Sequence, residues 1–320
     1  CYEFELPPIH SKANQIKKVA VIGGGPAGLS AACVAAERGH QVTLYERSEA
    51  LGGQFKLAMQ IPGKEEFAET LRYFKVRLAK LNVHIMRSTN VDEHILSEGD
   101  FDHVILATGV RAREIKIEGF KDDPRVLTYT KAILNAEEVG ERVAVIGAGG
   151  IGFDVSELLL KSMDPLHSHE DEDTLDRYLD EWGVDRSYKD RGGLKPPQMA
   201  PSPRKLYLLQ RSAGKLGAGL GKTTGWIHRA QLKAGQVEML NEVTYERLDE
   251  QGLHIRVKET SRVLEVDHVV VCAGQTSNRD LTELLDRIKI PYSLIGGALK
   301  AGEVDAKRAI AEGQTIALSL

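Results

Sequence analysis

Cysteine is scarce in this chain of 320 residues. Three are present, Cys1, Cys33 and Cys272, and no two of them form a C-x-x-C pair. A redox-active dithiol of the usual spacing is therefore excluded, and so is a metal or iron–sulfur site built from these cysteines alone. Sparse cysteine is typical of a reducing compartment, so we expect a cytoplasmic protein.

Long apolar runs and an excess of one charge are also lacking. No apolar run reaches the roughly 18 residues that a membrane span requires, so no membrane partner is expected. Lys and Arg total 42 against 46 Asp and Glu, a net charge of −4. This balance gives no electrostatic reason to expect a nucleic-acid partner. Length and a 42% hydrophobic content predict a globular protein of about two domains.

Glycine, by contrast, is plentiful, and its clearest cluster follows the apolar strand Val19–Ile22. Gly23, Gly25 and Gly28 form a G-x-G-x-x-G run that precedes an Ala-rich helix. A second strand then ends in Glu46, near the spacing of roughly 20 residues expected for a ribose-binding acid. In a dinucleotide-binding unit the glycines allow a tight turn, approach of a pyrophosphate and close packing of helix on strand. The helix N-terminus attracts the phosphates.

A second glycine run, Gly147, Gly149 and Gly152, also lies between an apolar strand and a helix. The following strand is delayed by a polar stretch, residues 162–203, and it ends at Arg211 where the first unit has an acid. An arginine there can pair with the 2′-phosphate of NADP, whereas an acid selects unphosphorylated ribose. Arg211 therefore predicts a preference for NADPH. An arginine solvated at a strand end is the alternative.

The segment beyond Arg211 contains Gly221-Lys222-Thr223, the ending of an NTPase phosphate loop. The glycine that such a loop needs five residues earlier is replaced by Leu216, so ATP or GTP hydrolysis is disfavoured. Beside a dinucleotide, the segment is expected to be a flexible loop with Lys222 available to phosphate. A solvated surface lysine is the equal alternative.

Two further segments repeat one another. "FDHVILATGV" and "VDHVVVCAGQ" each place an acid and a histidine before an apolar strand, and each ends in a turn of small residues at Gly109 or Gly274. Each closes the half begun by its own glycine run. We therefore predict an α/β fold of two Rossmann-like dinucleotide-binding domains, the second inserted in the first, with residues 19–138 and 275–320 in one and 139–274 in the other.

This arrangement resembles the flavoproteins with two dinucleotide-binding domains, of which the first binds FAD and the second NAD(P)H. The stretches "LGGQFKLAMQIPGKEEF" and "EWGVDRSYKDRGGL…GLGKTTGWIHR" are similar, more narrowly, to the C-terminal half of bacterial-type NADPH-dependent 2,4-dienoyl-CoA reductases. Trimethylamine dehydrogenases are more distant relatives in this family. The resemblance covers essentially the whole chain.

The resemblance implies a partner domain. In that family a TIM-barrel domain precedes this half and carries FMN, a 4Fe–4S cluster and the acid that protonates the dienoyl-CoA. Because the chain begins at Cys1 without a methionine, we expect it to be part of a longer protein, with residues 1–18 as a linker from the missing N-terminal domain. The chain would then carry electrons from NADPH through FAD to the cluster, and would not reduce a dienoyl-CoA by itself.

The resemblance also implies the cofactor-binding residues. The first glycine run and Glu46 would bind the FAD pyrophosphate and ribose, with Gly53 and Gln54 toward the flavin and Gly109 nearby. The second glycine run would bind the NADPH pyrophosphate, and the basic residues beyond it the 2′-phosphate. Hydride transfer between stacked rings needs no acid or base from the protein, so no catalytic residue and no metal ligand are predicted.

One position departs from the flavoprotein pattern. A Gly-Asp pair near the C-terminus usually places its aspartate on the ribityl chain, but no aspartate follows Gly296-Gly297 until Asp305, inside the predicted last helix. A nucleotide-binding module with structural ADP and no redox role is therefore an alternative. Another is an NADPH:flavin reductase that serves a ferredoxin or an amine dehydrogenase type of acceptor.

Overall fold

The computed structural model describes residues 12–161, 172–198, 202–302 and 305–320. Its chain divides into two compact units, the first formed by residues 1–113 and 274–320 and the second by residues 114–273. The second unit is thus an insertion in the sequence of the first. The predicted α/β fold of two Rossmann-like units is confirmed.

The secondary structure of the described residues alternates between strands and helices over most of the chain. The strands are β1 (Lys18–Ile22), β2 (Gln41–Tyr45), β3 (His84–Met86), β4 (His103–Leu106), β5 (Val110–Ala112), β6 (Val126–Thr128), β7 (Arg142–Ile146), β8 (Lys205–Leu209), β9 (Glu238–Leu240), β10 (Val243–Asp249), β11 (Gly252–Val257), β12 (Thr260–Leu264), β13 (His268–Val271), β14 (Gln275–Ser277) and β15 (Tyr292–Leu294). The helices are α1 (Pro26–Glu37), α2 (Phe55–Ala58), α3 (Phe67–Lys80), α4 (Glu93–Glu98), α5 (Tyr129–Leu134), α6 (Gly150–Leu160), α7 (Glu172–Glu181), α8 (Gly225–Ala234), α9 (Thr282–Ile288) and α10 (Ala306–Ser319).

The first unit is built on a parallel five-stranded sheet in the order β15–β4–β1–β2–β3. β1 and β4 are apolar along nearly their whole length because helices cover both faces of a parallel sheet. The small residues of α1 allow α10 to approach closely: a Cβ placed on Gly313 would lie 2.4 Å from the carbonyl oxygen of Ala27. A two-stranded antiparallel ribbon, β5 with β14, belongs to the same unit.

The second unit repeats this plan. Its parallel sheet has the order β6–β13–β7–β8–β9, so β7 and β8 occupy the places that β1 and β2 hold in the first sheet. A separate antiparallel sheet of β10, β11 and β12 packs its apolar face on the parallel sheet, as the shared core of the two shows.

The boundary between the units differs from the one predicted. Residues 114–138 were assigned to the first domain, but they belong to the second compact unit. The physical reason is strand pairing: β6 lies in this stretch and pairs in parallel with β13, with Val126 opposite Val269. A strand of three residues is too short to show the alternation of apolar and polar residues that identifies a strand in the sequence.

The repeated acid–histidine pairs have a structural role. The Asp102 carboxylate accepts the backbone N–H of Lys18 at 2.7 Å, and the Asp267 carboxylate accepts that of Arg142 at 2.8 Å. Each acid therefore joins the start of one strand to its neighbour in the sheet. The Nδ1 atom of His268 accepts a backbone N–H at 3.0 Å, and burial lowers the pKa of this imidazole, which favours the neutral acceptor form.

Residues 1–11 of the predicted linker lie outside the described residues, as do 162–171 and 199–201 of the polar insertion. The end of the linker follows the first unit, since the N–H of Ala13 donates to the carbonyl of Arg38 at 2.9 Å. Within the insertion, α7 is followed by a loop that is closed by a hydrogen bond from the N–H of Lys195 to the carbonyl of Gly183 at 2.8 Å. No helix of the described residues has the length and apolarity that crossing a membrane would require.

Arg204 closes the insertion onto the second unit. Its guanidinium donates to four backbone carbonyls at 2.9–3.2 Å, those of Ala136, Val139, Gly140 and Leu159. Burial lowers the pKa of this group, as expected for a cation whose partners are neutral carbonyls rather than an acid.

We predict that Arg204→Met lowers the free energy of unfolding by about 2 kcal/mol, because four carbonyls lose a charged donor. Urea unfolding followed by circular dichroism measures this. Arg72→Met is the matched control, since Arg72 pairs with Glu69 at a site where both side chains are more than half exposed. Its expected loss is below about 0.5 kcal/mol. Equal losses in the two variants would contradict the role given to Arg204.

Candidate functional site

The first glycine turn lies at the carboxyl end of β1. Gly23 has φ +112°, and its N–H donates to the carbonyl of Tyr45 at 2.8 Å. A Cβ on Gly23 would lie 2.3 Å from the carbonyl oxygen of Ala107, and one on Gly28 would lie 1.9 Å from the oxygen of Gly23. Any side chain at either position would collide with backbone. The turn therefore sits where parallel α/β sheets bind phosphates, at the strand ends beneath a helix N-terminus.

A second loop lies against this turn. Gly25 is the N-cap of α1, and its Cα is 2.8 Å from where a Cβ on Gly53 would stand. Gly53 has φ +52°, and the N–H of Gly52 donates to the carbonyl of Gly24 at 2.8 Å. Gln54 follows as the N-cap of α2. The structure thus brings Gly53 against the first glycine run, with Gln54 next to it in the chain.

Glu46 occupies the end of β2 beside the same turn and is 8% exposed. One carboxylate oxygen accepts the N–H of Gly24 at 2.8 Å, and the other accepts the N–H and the hydroxyl of Ser48 at 2.8 and 2.7 Å. Lys56 donates to the Ser48 hydroxyl at 2.8 Å. Because a carboxylate offers about four acceptor positions, the oxygen bound to Gly24 retains capacity for a further donor such as a ribose hydroxyl.

Ser48 and Lys56 are site residues that sequence reasoning missed. They orient the carboxylate of Glu46 rather than replace it, and only the fold brings Lys56 back from α2 to the end of β2. Ser48 carried a weak signal, because a serine two residues after an acid commonly donates to it in a turn.

Gly109 lies just beyond β4 with φ +72° and with open space on its Cβ side. Its carbonyl accepts the N–H of Asn278 at 2.9 Å. The C-terminal segment Gly296–Ala298 folds next to it, since a Cβ on Gly297 would lie 2.6 Å from the side chain of Val110 and 3.0 Å from the backbone of Gly109. The small residues of this segment thus form one wall near Gly109.

Asp305 was expected inside the last helix, but the structure places it one residue before α10. It is the N-cap, and its carboxylate accepts the N–H of Arg308 at 2.6 Å. Aspartate is among the residues preferred at an N-cap, because its carboxylate accepts a backbone N–H of the first turn. The carboxylate close to the Gly296 segment is instead that of Glu312, which accepts the N–H of Gly296 at 2.6 Å.

The second glycine turn reproduces the first. Gly147 has φ +108°, its N–H donates to the carbonyl of Leu209 at 2.9 Å, and a Cβ there would lie 2.5 Å from the oxygen of Cys272. A Cβ on Gly152 would lie 1.8 Å from the oxygen of Gly147. Gly149 is the N-cap of α6, and nothing lies within 4 Å of a Cβ placed on it. The space in front of Gly149 is therefore open.

Arg211 is exposed and comes two residues after the end of β8. Burial raises the pKa of the Tyr245 hydroxyl, and the positive charge of Arg211 opposes that rise. Lys222 is also exposed, on the segment that leads into α8. The two basic residues thus lie on one connection between β8 and α8.

The connection itself, residues 210–224, contains successive hydrogen-bonded turns. The N–H of Leu220 donates to the carbonyl of Gly217 at 3.1 Å, and the N–H of Gly225 donates to that of Gly221 at 2.7 Å. A Cβ on Gly217 would lie 2.7 Å from the ring of Phe153 on α6, so the turn is packed against that helix. Gly217 thus serves close packing, whereas nothing lies within 4 Å of a Cβ placed on Gly214 or Gly219.

Cys33 and Cys272 are free and buried, and Cys1 lies outside the described residues. Burial raises the pKa of the Cys33 thiol to about 11 and also raises that of Cys272. Since the thiolate is the reactive form, neither residue is prepared for nucleophilic or redox chemistry at neutral pH.

We predict that Gly152→Ala lowers the free energy of unfolding by about 2 kcal/mol or more, because its methyl group would collide with the backbone of Gly147. Gly149→Ala is the matched control: the same change in the same glycine run enters open space at an ordinary φ of −84° and should cost less than about 0.5 kcal/mol. Thermal unfolding of both variants measures the difference. Equal stability would show that the turn does not require its third glycine.

Comparison with known proteins identifies the family. The pyridine nucleotide-disulphide oxidoreductase family matches residues 17–298. The metal reductase of Desulforamulus reducens is 31% identical over 307 residues, covering 94% of this chain and 43% of that protein.

Solved structures agree in fold. A 2-naphthoyl-CoA reductase superposes with a TM-score of 0.77 at 24% identity, covering 97% of this chain and 41% of the other. Histamine dehydrogenase from Rhizobium sp. 4-9 superposes with a TM-score of 0.73 at 19% identity, covering 97% of this chain and 45% of the other. The chain spans less than half the length of each of these three proteins. Together with the family match over most of its length, the two glycine turns place this chain in the pyridine nucleotide-disulphide oxidoreductase family, as a flavin- and NAD(P)-dependent oxidoreductase module.

Proposed function

We propose that the chain is an NADPH-oxidising flavoprotein module that delivers electrons to an iron–sulfur and FMN domain outside this chain. The observation that carries the proposal is a difference beside the two glycine turns. Strand pairing matches Tyr45 with Leu209 as the last residue of the neighbouring strand, so Gln210 takes the position of the acid. The exposed Arg211 follows it. A carboxylate accepts from a ribose diol, and a guanidinium pairs with a 2′-phosphate.

The first unit has the features that FAD requires. Its glycine turn and the Gly53 loop present backbone without side chains, and Glu46 keeps an acceptor position for ribose. The open space at Gly109 leaves room beside the small residues of the C-terminal segment. When bound, FAD supplies acceptance of a hydride and release of single electrons. The protein's own part is to bind and orient the cofactors and to exclude water.

The second unit has the features that NADPH requires. The second glycine run (Gly147, Gly149 and Gly152) presents the N-terminus of α6 to a pyrophosphate. The open space at Gly149 leaves the N–H groups at the start of this helix accessible. Arg211 and Lys222 are exposed cations on the connection from β8, available to a 2′-phosphate. Among the described residues these are the charges that would distinguish NADPH from NADH.

The electron acceptor lies outside the chain. Family members that reduce a disulfide through their own cysteines need a pair of thiols, but Cys33 and Cys272 are buried, free and in different units. The motifs around Gly53 and Lys222 are similar to those of 2,4-dienoyl-CoA reductases. We therefore infer that the acceptor is the cluster of a TIM-barrel domain of the same full-length protein, which serves dienoyl-CoA reduction in unsaturated fatty acid degradation.

A second candidate is a module that holds ADP structurally in its first unit. It is favoured by the C-terminal segment Gly296–Ala298, which offers no aspartate for a ribityl chain. A reductase that serves a ferredoxin or an amine-dehydrogenase domain differs from the leading proposal only in the acceptor.

The absorption spectrum of the purified chain separates these functions. We expect flavin bands near roughly 370 and 450 nm that bleach on anaerobic addition of NADPH. A colourless chain that stays colourless after incubation with FAD would overturn the redox proposal in favour of the ADP-holding module.

Arg211→Ala is expected to raise the KM for NADPH by about tenfold or more and to leave the KM for NADH nearly unchanged, because one charge-assisted contact is worth roughly 1.5–3 kcal/mol. Steady-state assays with ferricyanide as acceptor measure both constants. Arg256→Ala removes a half-exposed arginine of β11 in the same unit and should change neither. An equal rise in the KM for NADPH and for NADH would contradict the assignment of Arg211 to NADPH selectivity.

A further inference from the structure

A buried acid and a histidine join two helices of the second unit, α6 and α8. Nδ1 of His228, in the first turn of α8, lies 2.6 Å from a carboxylate oxygen of Glu157 on α6. The Glu157 side chain is 9% exposed and that of His228 is 28% exposed. Because a carboxylate can only accept, the imidazole donates through Nδ1–H. Burying a carboxylate is costly unless it is paired, so the pair must favour one arrangement of the two helices.

One face of α6 links this pair to the glycine turn. Gly149, Phe153 and Glu157 are spaced by four residues, which places them one above another along the helix. The N–H of Phe153 donates to the carbonyl of Gly149 at 3.1 Å, so the helix is regular at this point. The same face thus carries the cap of the pyrophosphate turn, the ring under Gly217 and the acid that holds α8.

The connection 210–224 is attached to both helices at Gly217. This glycine packs on Phe153 of α6, and its carbonyl accepts from the Arg229 guanidinium of α8 at 3.1 Å. Lys222 lies between Gly217 and α8, three residues before α8 begins. A shift of α8 along α6 would therefore displace Lys222 relative to the glycine turn.

We propose that His228 and Glu157 are positioning residues for recognition of the 2′-phosphate. Their bond fixes α8 on α6 and thereby holds the basic connection over the site whose pyrophosphate end is Gly149. This inference rests on the proposed function, since it assumes that the second unit prefers the phosphorylated nucleotide. A purely structural bond would affect both nucleotides alike.

Isothermal titration with two probes tests the proposal without turnover. The probe 2′,5′-ADP carries the 2′-phosphate, and 5′-ADP lacks it. We expect the unmodified chain to bind 2′,5′-ADP at least about tenfold more tightly than 5′-ADP. His228→Ala should reduce this ratio of affinities about fivefold, mainly by weakening the binding of 2′,5′-ADP. His228→Asn, whose amide N–H can replace Nδ1–H, should restore part of the ratio.

His254→Ala is the matched control. His254 lies 2.8 Å from the carboxylate of Asp249 in the antiparallel sheet of the same unit, away from α6 and α8. Its loss removes a histidine–carboxylate pair of the same kind and should leave the ratio unchanged. If His228→Ala does not fold, Glu157→Gln serves instead, because it keeps the volume and removes the charge-assisted bond, and the ratio should again fall.

The outcomes separate two failures. A chain that discriminates between the probes, with a ratio unchanged by His228→Ala and by Glu157→Gln, would overturn the positioning role and leave NADPH selectivity standing. An unmodified chain that binds both probes equally would overturn NADPH selectivity, and the positioning role with it. A fall in the ratio with the His254→Ala control would mean a general loss of packing and would also overturn the proposal.

Discussion

Close contact between a helix and the turn that precedes it is the constraint on which both units depend. The third glycine of each run, Gly28 or Gly152, lies so near the first that no Cβ fits between them. This contact sets the first turn of α1 and of α6 directly over the strand ends. The first N–H groups of each helix thereby point to the space at the strand ends, and the loop that follows β2 or β8 lies beside that space. Binding capacity is a consequence of backbone packing before any side chain contributes.

Both units use the same scaffold, so the difference between them lies in the residues that surround the glycine turn. In the first unit an acid is buried and held by Gly24 and Ser48, so the site is fixed around a carboxylate. In the second unit Gln210 takes the place of that acid and the exposed Arg211 follows it, and a longer connection of turns is packed on α6. The first arrangement suits a cofactor that remains bound, and the second suits a nucleotide that enters and leaves. The chemistry expected of each unit follows from this contrast.

Local signals made most of the fold and the centre of each site predictable. Continuous apolar strands followed by glycine runs locate β1, β7 and both turns, because every residue involved is within one short segment. The signals failed where pairing partners are distant. β6 is too short to have a pattern of its own, the bond between Lys56 and Ser48 depends on the return of α2, and the pair Glu157–His228 joins residues 71 positions apart. Composition alone does not separate Gly217, which packs on Phe153, from Gly214 and Gly219, which have open space beside them.

The discontinuity of the first unit has a consequence for how the protein is made. Its edge strand β15 pairs with β4, and α10 packs on α1, yet both arrive only after the whole of the second unit has left the ribosome. The second unit is a continuous stretch and can complete its own sheet as soon as it emerges. The nascent first unit must wait with an unpaired edge at β4 and an uncovered α1. The half-formed sheet is therefore open to wrong pairing during synthesis for longer than the sheet of a continuous domain would be.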